Sequence, residues 1–290
     1  MGYSLREFHP WTIFIYYCSI ICMTVFCRHP LMVLGSLLLA VMQSTVYVGR
    51  VALKTCIRFG IPVVLLSIFA NALLVHEGNT ALYTFSNGIS ITLESVMFGM
   101  IAGVMIVAVV LWCICLSSCM HSEQWLHLFG STLPTLGLIF SMVLRFIPLY
   151  KRKWREIMDA NLIHENNVTA RLQCSARCFM ITFVWALEHG VDTANSMTAR
   201  GYGIGPRSHY KRFIMCLRDY VLCAIVMATV CLYVIGMYCG WISFEVYPEL
   251  QITQNACTWL VWVGFIISGL VPTGFVLFEK YREKAYYVSN

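Results

Sequence analysis

Long apolar runs constrain this chain more than any other feature of its sequence. Only 12% of its 290 residues are charged and its mean hydropathy is +0.72, so charges are too few to cover the surface of a soluble domain. We therefore predict an all-α integral membrane protein. About 20 apolar residues span a bilayer as a helix, and about six runs are long enough: 11–27, 31–49, 59–75, 90–118, 214–239 and 257–279.

Whether two further apolar stretches cross the membrane is decided by their length and by the positions of Lys and Arg. Residues 178–187 are too short to cross a bilayer, whereas 126–149 are long enough. Lys and Arg concentrate in cytoplasmic loops of membrane proteins, and they are absent from 76–89 and 240–256 but dense in 151–155. A crossing by 126–149 would move that dense block outside. We therefore predict an interfacial or re-entrant helix there, with both termini cytoplasmic.

This topology divides the chain into three parts. A four-span membrane part covers 1–120, a cytoplasmic and interfacial segment of coupling helices covers 121–213, and a two-span part with a basic tail covers 214–290. The first apolar run is followed by no small-residue cleavage site, so we interpret it as a retained span and not as a secretory signal. The predicted location is the cell membrane, crossed several times.

Few residues suggest catalysis or cofactor binding. The phosphate-binding pattern Gly-x-x-x-x-Gly-Lys-Ser/Thr is absent, and the basic block beside the membrane lacks a nucleic-acid-reading motif. His121, Glu123 and His127 have a spacing compatible with a metal, but solvation at the membrane surface explains them better. Most of the 14 cysteines lie in apolar runs, where a thiol acts as a small hydrophobe. We expect no cofactor, no metal site and no enzyme activity.

The segment before the fifth span is predicted to form three helices. Pro148 is expected to kink or break the first apolar stretch, after which a helix runs from Leu149 to about residue 163. A second helix begins near Thr169 and a third begins near Trp185. The third ends at Ala199-Arg200-Gly201, where glycine supplies a left-handed C-cap and Pro206 prevents the helix from resuming.

Arg200 allows two interpretations on spacing alone. Its guanidinium can satisfy the last carbonyls of the helix and its dipole. Alternatively it projects from the helix end as a planar donor fork that suits a carboxylate on another molecule.

The ordered motifs of the chain resemble the T component, the transmembrane coupling subunit, of energy-coupling factor transporters. The resemblance covers nearly the whole chain and rests on the order of short pieces: Phe8-His9-Pro10, His29-Pro30, Asn71, His76-Glu77-Gly78, Ile91-Thr92-Leu93-Glu94 with Gly99, Arg145-Phe146-Ile147-Pro148-Leu149, and Met197-Thr198-Ala199-Arg200-Gly201-Tyr202-Gly203. Arg145 and Pro148 correspond to the start of the family's coupling helices.

The resemblance implies a role in uptake of a vitamin or metal-type micronutrient. In that family each Ala-Arg-Gly helix end docks in the groove of one ATPase subunit of a pair, so Ala199, Arg200 and Gly201 are predicted to anchor one of them. The partner ATPases bind and hydrolyse the ATP. A separate membrane subunit, the S component, binds the substrate, and the apolar faces of 126–149 and 169–187 are expected to contact it.

The first of the two expected motifs departs from the family pattern. Ala160 and Asn161 fit its beginning, but His164-Glu165 stands where Arg-Gly is expected. This departure suggests unequal contacts with the two ATPase subunits. The alternatives are a stand-alone secondary transporter, which usually carries buried charges in its spans, and a membrane-embedded enzyme, which needs clustered acids or a nucleophile with its base.

Overall fold

The computed structural model describes residues 8–27, 29–75, 80–84, 90–132, 134–161, 168–202, 204, 215–242, 244–245, 251–252 and 255–288. The chain forms two compact units, one of Met1–His121 with Phe213–Asn290 and one of Ser122–Arg212. Arg28 and the family piece His76-Glu77-Gly78 lie outside the described residues.

Six helices of the first unit follow the predicted apolar runs. Five of them are long and apolar enough to cross a membrane, and the first is equally apolar but 17 residues long. The chain is a multi-pass membrane protein, and a count of six spans stays a prediction. The helices are α1 (Pro10–Phe26), α2 (Pro30–Tyr47), α3 (Arg50–Leu74), α4 (Leu93–Cys119), α8 (Leu217–Tyr238) and α9 (Ala256–Val288).

Helices α3 and α4 pack backbone against backbone through two glycines one turn apart. A Cβ atom built on Gly99 would lie 2.8 Å from the Cα of Ile68, and one on Gly103 would lie 2.9 Å from the Cα of Val64. The hydroxyl of Ser67 donates to the carbonyl of Gly99 at 2.9 Å. Small residues four apart allow this close approach in membranes, where packing and interhelical hydrogen bonds drive helix association.

A buried hydrogen-bond network joins α1, α2 and α9. The amide of Gln43 donates to the hydroxyl of Tyr16 at 2.6 Å and to the carbonyl of Gly269 at 2.8 Å. Tyr17 donates to the amide oxygen of Gln43 at 3.4 Å. Gln43 is fully buried, and no water is present in a bilayer core to replace these partners, so the network ties three helices together.

Two short antiparallel hairpins depart from the all-α expectation. Strands β1 (Ala81–Thr84) and β2 (Ser90–Thr92) pair before α4, and β3 (Phe244–Glu245) and β4 (Gln251–Ile252) pair before α9. Glu94 follows the first hairpin, and its carboxylate accepts hydrogen bonds from the backbone and hydroxyl of Thr80. Its side chain is 2% exposed, so Glu94 fixes the chain entering the first turn of α4 and does not extend towards solvent.

The second unit contains α5 (Ser122–Thr132), α6 (Pro134–Asn161) and α7 (Val168–Ala199). Of the kink or break predicted at Pro148, the break is wrong, because α6 continues through this residue, and the kink stays a prediction. The predicted division at Trp185 is also wrong, because α7 is one helix of 32 residues. Phe146 and Tyr150, on either side of Pro148, pack on α7, and Trp185 packs on α6. This packing between the two helices stabilises a continuous helix at both positions.

Aromatic side chains pack α6 against α7 as an antiparallel pair. Tyr150 lies edge-on to Trp185, with ring centroids 5.8 Å apart, and donates to the carbonyl of Ala186 at 3.5 Å. Trp154 lies edge-on to Phe179 at 6.1 Å. The pairing of 150 with 185 and of 154 with 179 sets the two helices in opposite directions along most of their length.

Candidate functional site

The C-terminal end of α7 adopts the glycine cap that its sequence predicts. Gly201 has φ +82°, in the left-handed region that favours glycine. The amide of Tyr202 donates to the carbonyl of Met197 and that of Gly201 donates to the carbonyl of Thr198, both at 3.0 Å. This pair of bonds is a Schellman motif, and it satisfies two of the last helix carbonyls with backbone groups alone.

The guanidinium of Arg200 is therefore not needed to cap the helix. Its backbone N–H bonds the carbonyls of Ser196 and Met197, while its side chain is exposed. In the part of the chain that the structure describes, no carboxylate forms an ion pair with it. The cap fixes the position of the Cα atom and leaves five donors available at the end of the helix.

Small and polar residues precede Arg200 along α7, and the exposed side chains of Tyr202 and Ile204 follow it. Ala199 beside it is exposed and presents no side chain beyond Cβ. Asp192, Ser196 and Arg200 are exposed and spaced four apart, which places them in one row along α7. A helix end with a small residue and a projecting arginine fits the type of anchor that enters a groove. Gly203 and Pro206 lie outside the described residues.

The predicted first anchor is only partly described. Ala160 is exposed in the last turn of α6, and Asn161 is the last residue of that helix. His164 lies outside the described residues. The two helix ends are far apart, because the thiol of Cys178 lies 3.9 Å from the carbonyl oxygen of Ile157. From Cys178 to Ala199 the helix rises about 32 Å at ~1.5 Å per residue.

Arg145 and Pro148 both lie inside α6 and are exposed. Neither is the first residue of a helix, since α6 starts at Pro134. Their role at the entry to the coupling helices stays a prediction. No group of three or more His, Cys, Asp or Glu side chains comes together as a metal site among the described residues.

An apolar row on α7 extends further than the sequence analysis predicted. Met180, Val184, Leu187 and Val191 are each about 60% exposed and are spaced by four, three and four residues. They form one continuous face, the α7 apolar stripe. The apolar face predicted over 169–187 contains the first three of these residues, and Val191 extends it beyond the predicted range.

Comparison with known proteins leaves the family unassigned. A scan against protein-family models gives no match, and a search of curated proteins gives no significantly similar sequence.

The cap at Gly201 gives the first testable expectation. Gly201→Ala places a Cβ in the left-handed region, which costs about 1–2 kcal/mol. We expect the amide of Tyr202 to exchange hydrogen about 5–30-fold faster, measured by exchange and mass spectrometry of the full chain in detergent. Gly190→Ala is the matched control, because nothing lies within 4 Å of a Cβ there and α7 should keep or gain stability. Unchanged exchange at Tyr202 would contradict the role of the cap.

Proposed function

We propose that this chain is the transmembrane coupling subunit of an energy-coupling factor importer. It links the ATP-driven closure of a pair of ABC-type ATPases to movement of a substrate-binding membrane subunit that takes up a vitamin or metal-type micronutrient. The chain itself is not an enzyme in this proposal. The observation that carries it is the backbone-capped end of α7, which leaves the Arg200 guanidinium exposed and without an ion-pair partner among the described residues.

The separation of the two helix ends supports a paired partner. Ala160 and Arg200 stand near opposite ends of the antiparallel pair α6–α7, roughly 30 Å or more apart by helical rise. One ATPase subunit cannot fill both positions with the same groove, whereas two copies of similar subunits can. A pair that closes on ATP would displace the two ends together, and continuous helices would transmit that displacement.

The α7 apolar stripe supplies the proposed contact with the S component. Its four members, Met180, Val184, Leu187 and Val191, are apolar and continuous over three turns. The stripe itself is uncharged, with the exposed Arg177 and Glu188 at its edges, and such a face suits another membrane subunit better than an ATPase surface. In the proposed orientation both termini and the α5–α7 unit are cytoplasmic, in the cell membrane, as the placement of Lys and Arg favours.

Co-purification tests this function. The full chain, tagged and expressed together with an ABC-type ATPase pair and a small membrane protein encoded beside it, should purify as a complex with both. ATP hydrolysis by that complex should depend on the chain. If the chain purifies alone and transports a solute in vesicles without ATP, the secondary-transporter alternative replaces the proposal.

A further inference from the structure

One row of exposed side chains on α6 changes from apolar to basic along the helix. Phe140, Leu144, Ile147, Lys151 and Arg155 are all exposed and are spaced by four, three, four and four residues, which places them on one face. The first three are apolar and the last two carry positive charge. We refer to these five residues as the α6 row.

The positive charges of the α6 row have no counterpart in the described part of this unit. Lys153 is paired with Glu156 at 3.1 Å and lies 5.7 Å from the ring centre of Trp185, so it is engaged within the helix pair. Lys151 and Arg155 form no ion pair among the described residues, and both are exposed. The two cations are therefore available to an anionic group outside this unit.

Aromatic packing places an indole beside these charges. Trp154 follows Ile147 by seven residues, which brings it to the same side of α6. It is half-buried against Phe179, which in turn stacks on Phe183. Indole rings and cationic side chains together are characteristic of the headgroup level of a bilayer, and apolar side chains belong below it.

The order of apolar and basic side chains along the α6 row distinguishes between possible binding partners. A protein partner of this row would need an apolar surface for two turns followed by acidic groups. A membrane-spanning partner would have to place acidic groups at the level of Lys151 and Arg155. A phospholipid with a negatively charged headgroup offers acyl chains and a phosphate in the same order as the row, and basic residues near a membrane surface each contribute about 1 kcal/mol to such binding.

We propose that the α6 row binds anionic phospholipid. Phe140, Leu144 and Ile147 contact the acyl chains, and Lys151 and Arg155 contact the headgroup. The apolar part of the α6 row lies in 126–149, for which the sequence predicted a contact with the S component, and here it is assigned to lipid instead. The α7 apolar stripe, a different set of residues, keeps that proposed contact, so this inference does not depend on the proposed coupling function. A chain that coupled no ATPase would still bind such a lipid through α6.

Trp154 provides the reporter for the test. The full chain is placed in nanodiscs of phosphatidylcholine that contain a small equal fraction of either brominated phosphatidylglycerol or brominated phosphatidylcholine. Bromine quenches the fluorescence of nearby indoles. The chain has 8 tryptophans, so the contribution of Trp154 is taken as the part of the quenching that is lost in Trp154→Phe. We expect the anionic lipid to quench this part at about 25-fold lower mole fraction, at about 1 kcal/mol for each of the two cations, and we expect added salt to weaken the preference.

Charge reversal identifies the residues responsible. Lys151→Glu with Arg155→Glu should reduce the preference for the anionic lipid by about 25-fold, at roughly five-fold for each side chain. Lys54→Glu with Arg58→Glu, an exposed pair on α3, changes the net charge equally and should leave the Trp154 signal unchanged. If the reversed variant elutes as aggregate, Lys151→Ala with Arg155→Ala replaces it, and the salt and lipid comparison of the wild-type chain with Trp154→Phe needs no change at the two basic residues.

Three results would overturn the proposal. Equal quenching by both lipids would mean bilayer contact without recognition of charge. Absence of quenching by either lipid would mean that protein or water covers the row. A preference for the anionic lipid that survives replacement of Lys151 and Arg155 would place the site elsewhere.

Discussion

Arg200→Glu is expected to abolish co-purification of the chain with its ATPase pair while leaving its expression and membrane insertion intact. The cap of α7 consists of backbone hydrogen bonds, so the substitution removes no bond that holds the helix end. A glutamate near the helix C-terminus costs only about 0.3–1 kcal/mol through the dipole. Loss of a buried, hydrogen-bonded charge pair at an interface costs about 2–5 kcal/mol, or roughly 30-fold to several thousand-fold in affinity.

Two further variants separate the charge of Arg200 from its shape. Arg200→Lys keeps the charge but loses the planar fork, and we expect intermediate assembly. Arg177→Glu makes the same charge change at another exposed position of α7 and should assemble normally. Binding is measured by affinity purification and by ATP hydrolysis of the purified complex. Normal assembly of Arg200→Glu would remove Arg200 as the anchor.

Gly99→Val is expected to destabilise the membrane unit more than any surface substitution. Even the first carbon of the new side chain would lie 2.8 Å from the Cα of Ile68 and 2.9 Å from the carbonyl oxygen of Ser67. Both are backbone atoms and cannot rotate away, so α3 and α4 must separate. Overpacking of this kind costs about 1–3 kcal/mol, and losing the hydrogen bond from Ser67 adds to it.

The measurement is the thermal unfolding midpoint of the full chain in detergent. We expect Gly99→Val to lower it by several degrees, and Gly99→Ala by less. Gly274→Ala is the matched control in α9 of the same unit, because no atom lies within 4 Å of a Cβ at that exposed glycine. An unchanged midpoint for Gly99→Val would show that the two helices do not approach as closely as described.

Features encoded by neighbouring residues could be predicted from the sequence. The apolar runs locate the membrane helices because a bilayer requires a fixed length of apolar residues. Gly201 predicts the cap because few other residues adopt a positive φ at low cost. Arg200 lies at the end of the helix that this cap defines, so this part of the candidate site could be predicted from the sequence.

Features decided by distant packing could not be predicted in this way. Pro148 removes one helical hydrogen bond, and the sequence does not reveal that Phe146 and Tyr150 on either side of it pack against His189. The sequence predicted a boundary between two helices at Trp185, but Trp185 lies inside α7 and packs on Tyr150 of α6. The burial of Glu94 also depends on Thr80, which lies across a hairpin from it.

The network around Gln43 has a consequence for how the protein is made. Gln43 is in α2, and one of its acceptors, the carbonyl of Gly269, is in α9. During synthesis Gln43 can bond Tyr16 and Tyr17 of α1 early, but the Gly269 acceptor arrives only when α9 enters the membrane. Insertion of α9 therefore completes the polar network, and a nascent chain that lacks α9 leaves one N–H of the Gln43 amide without this acceptor.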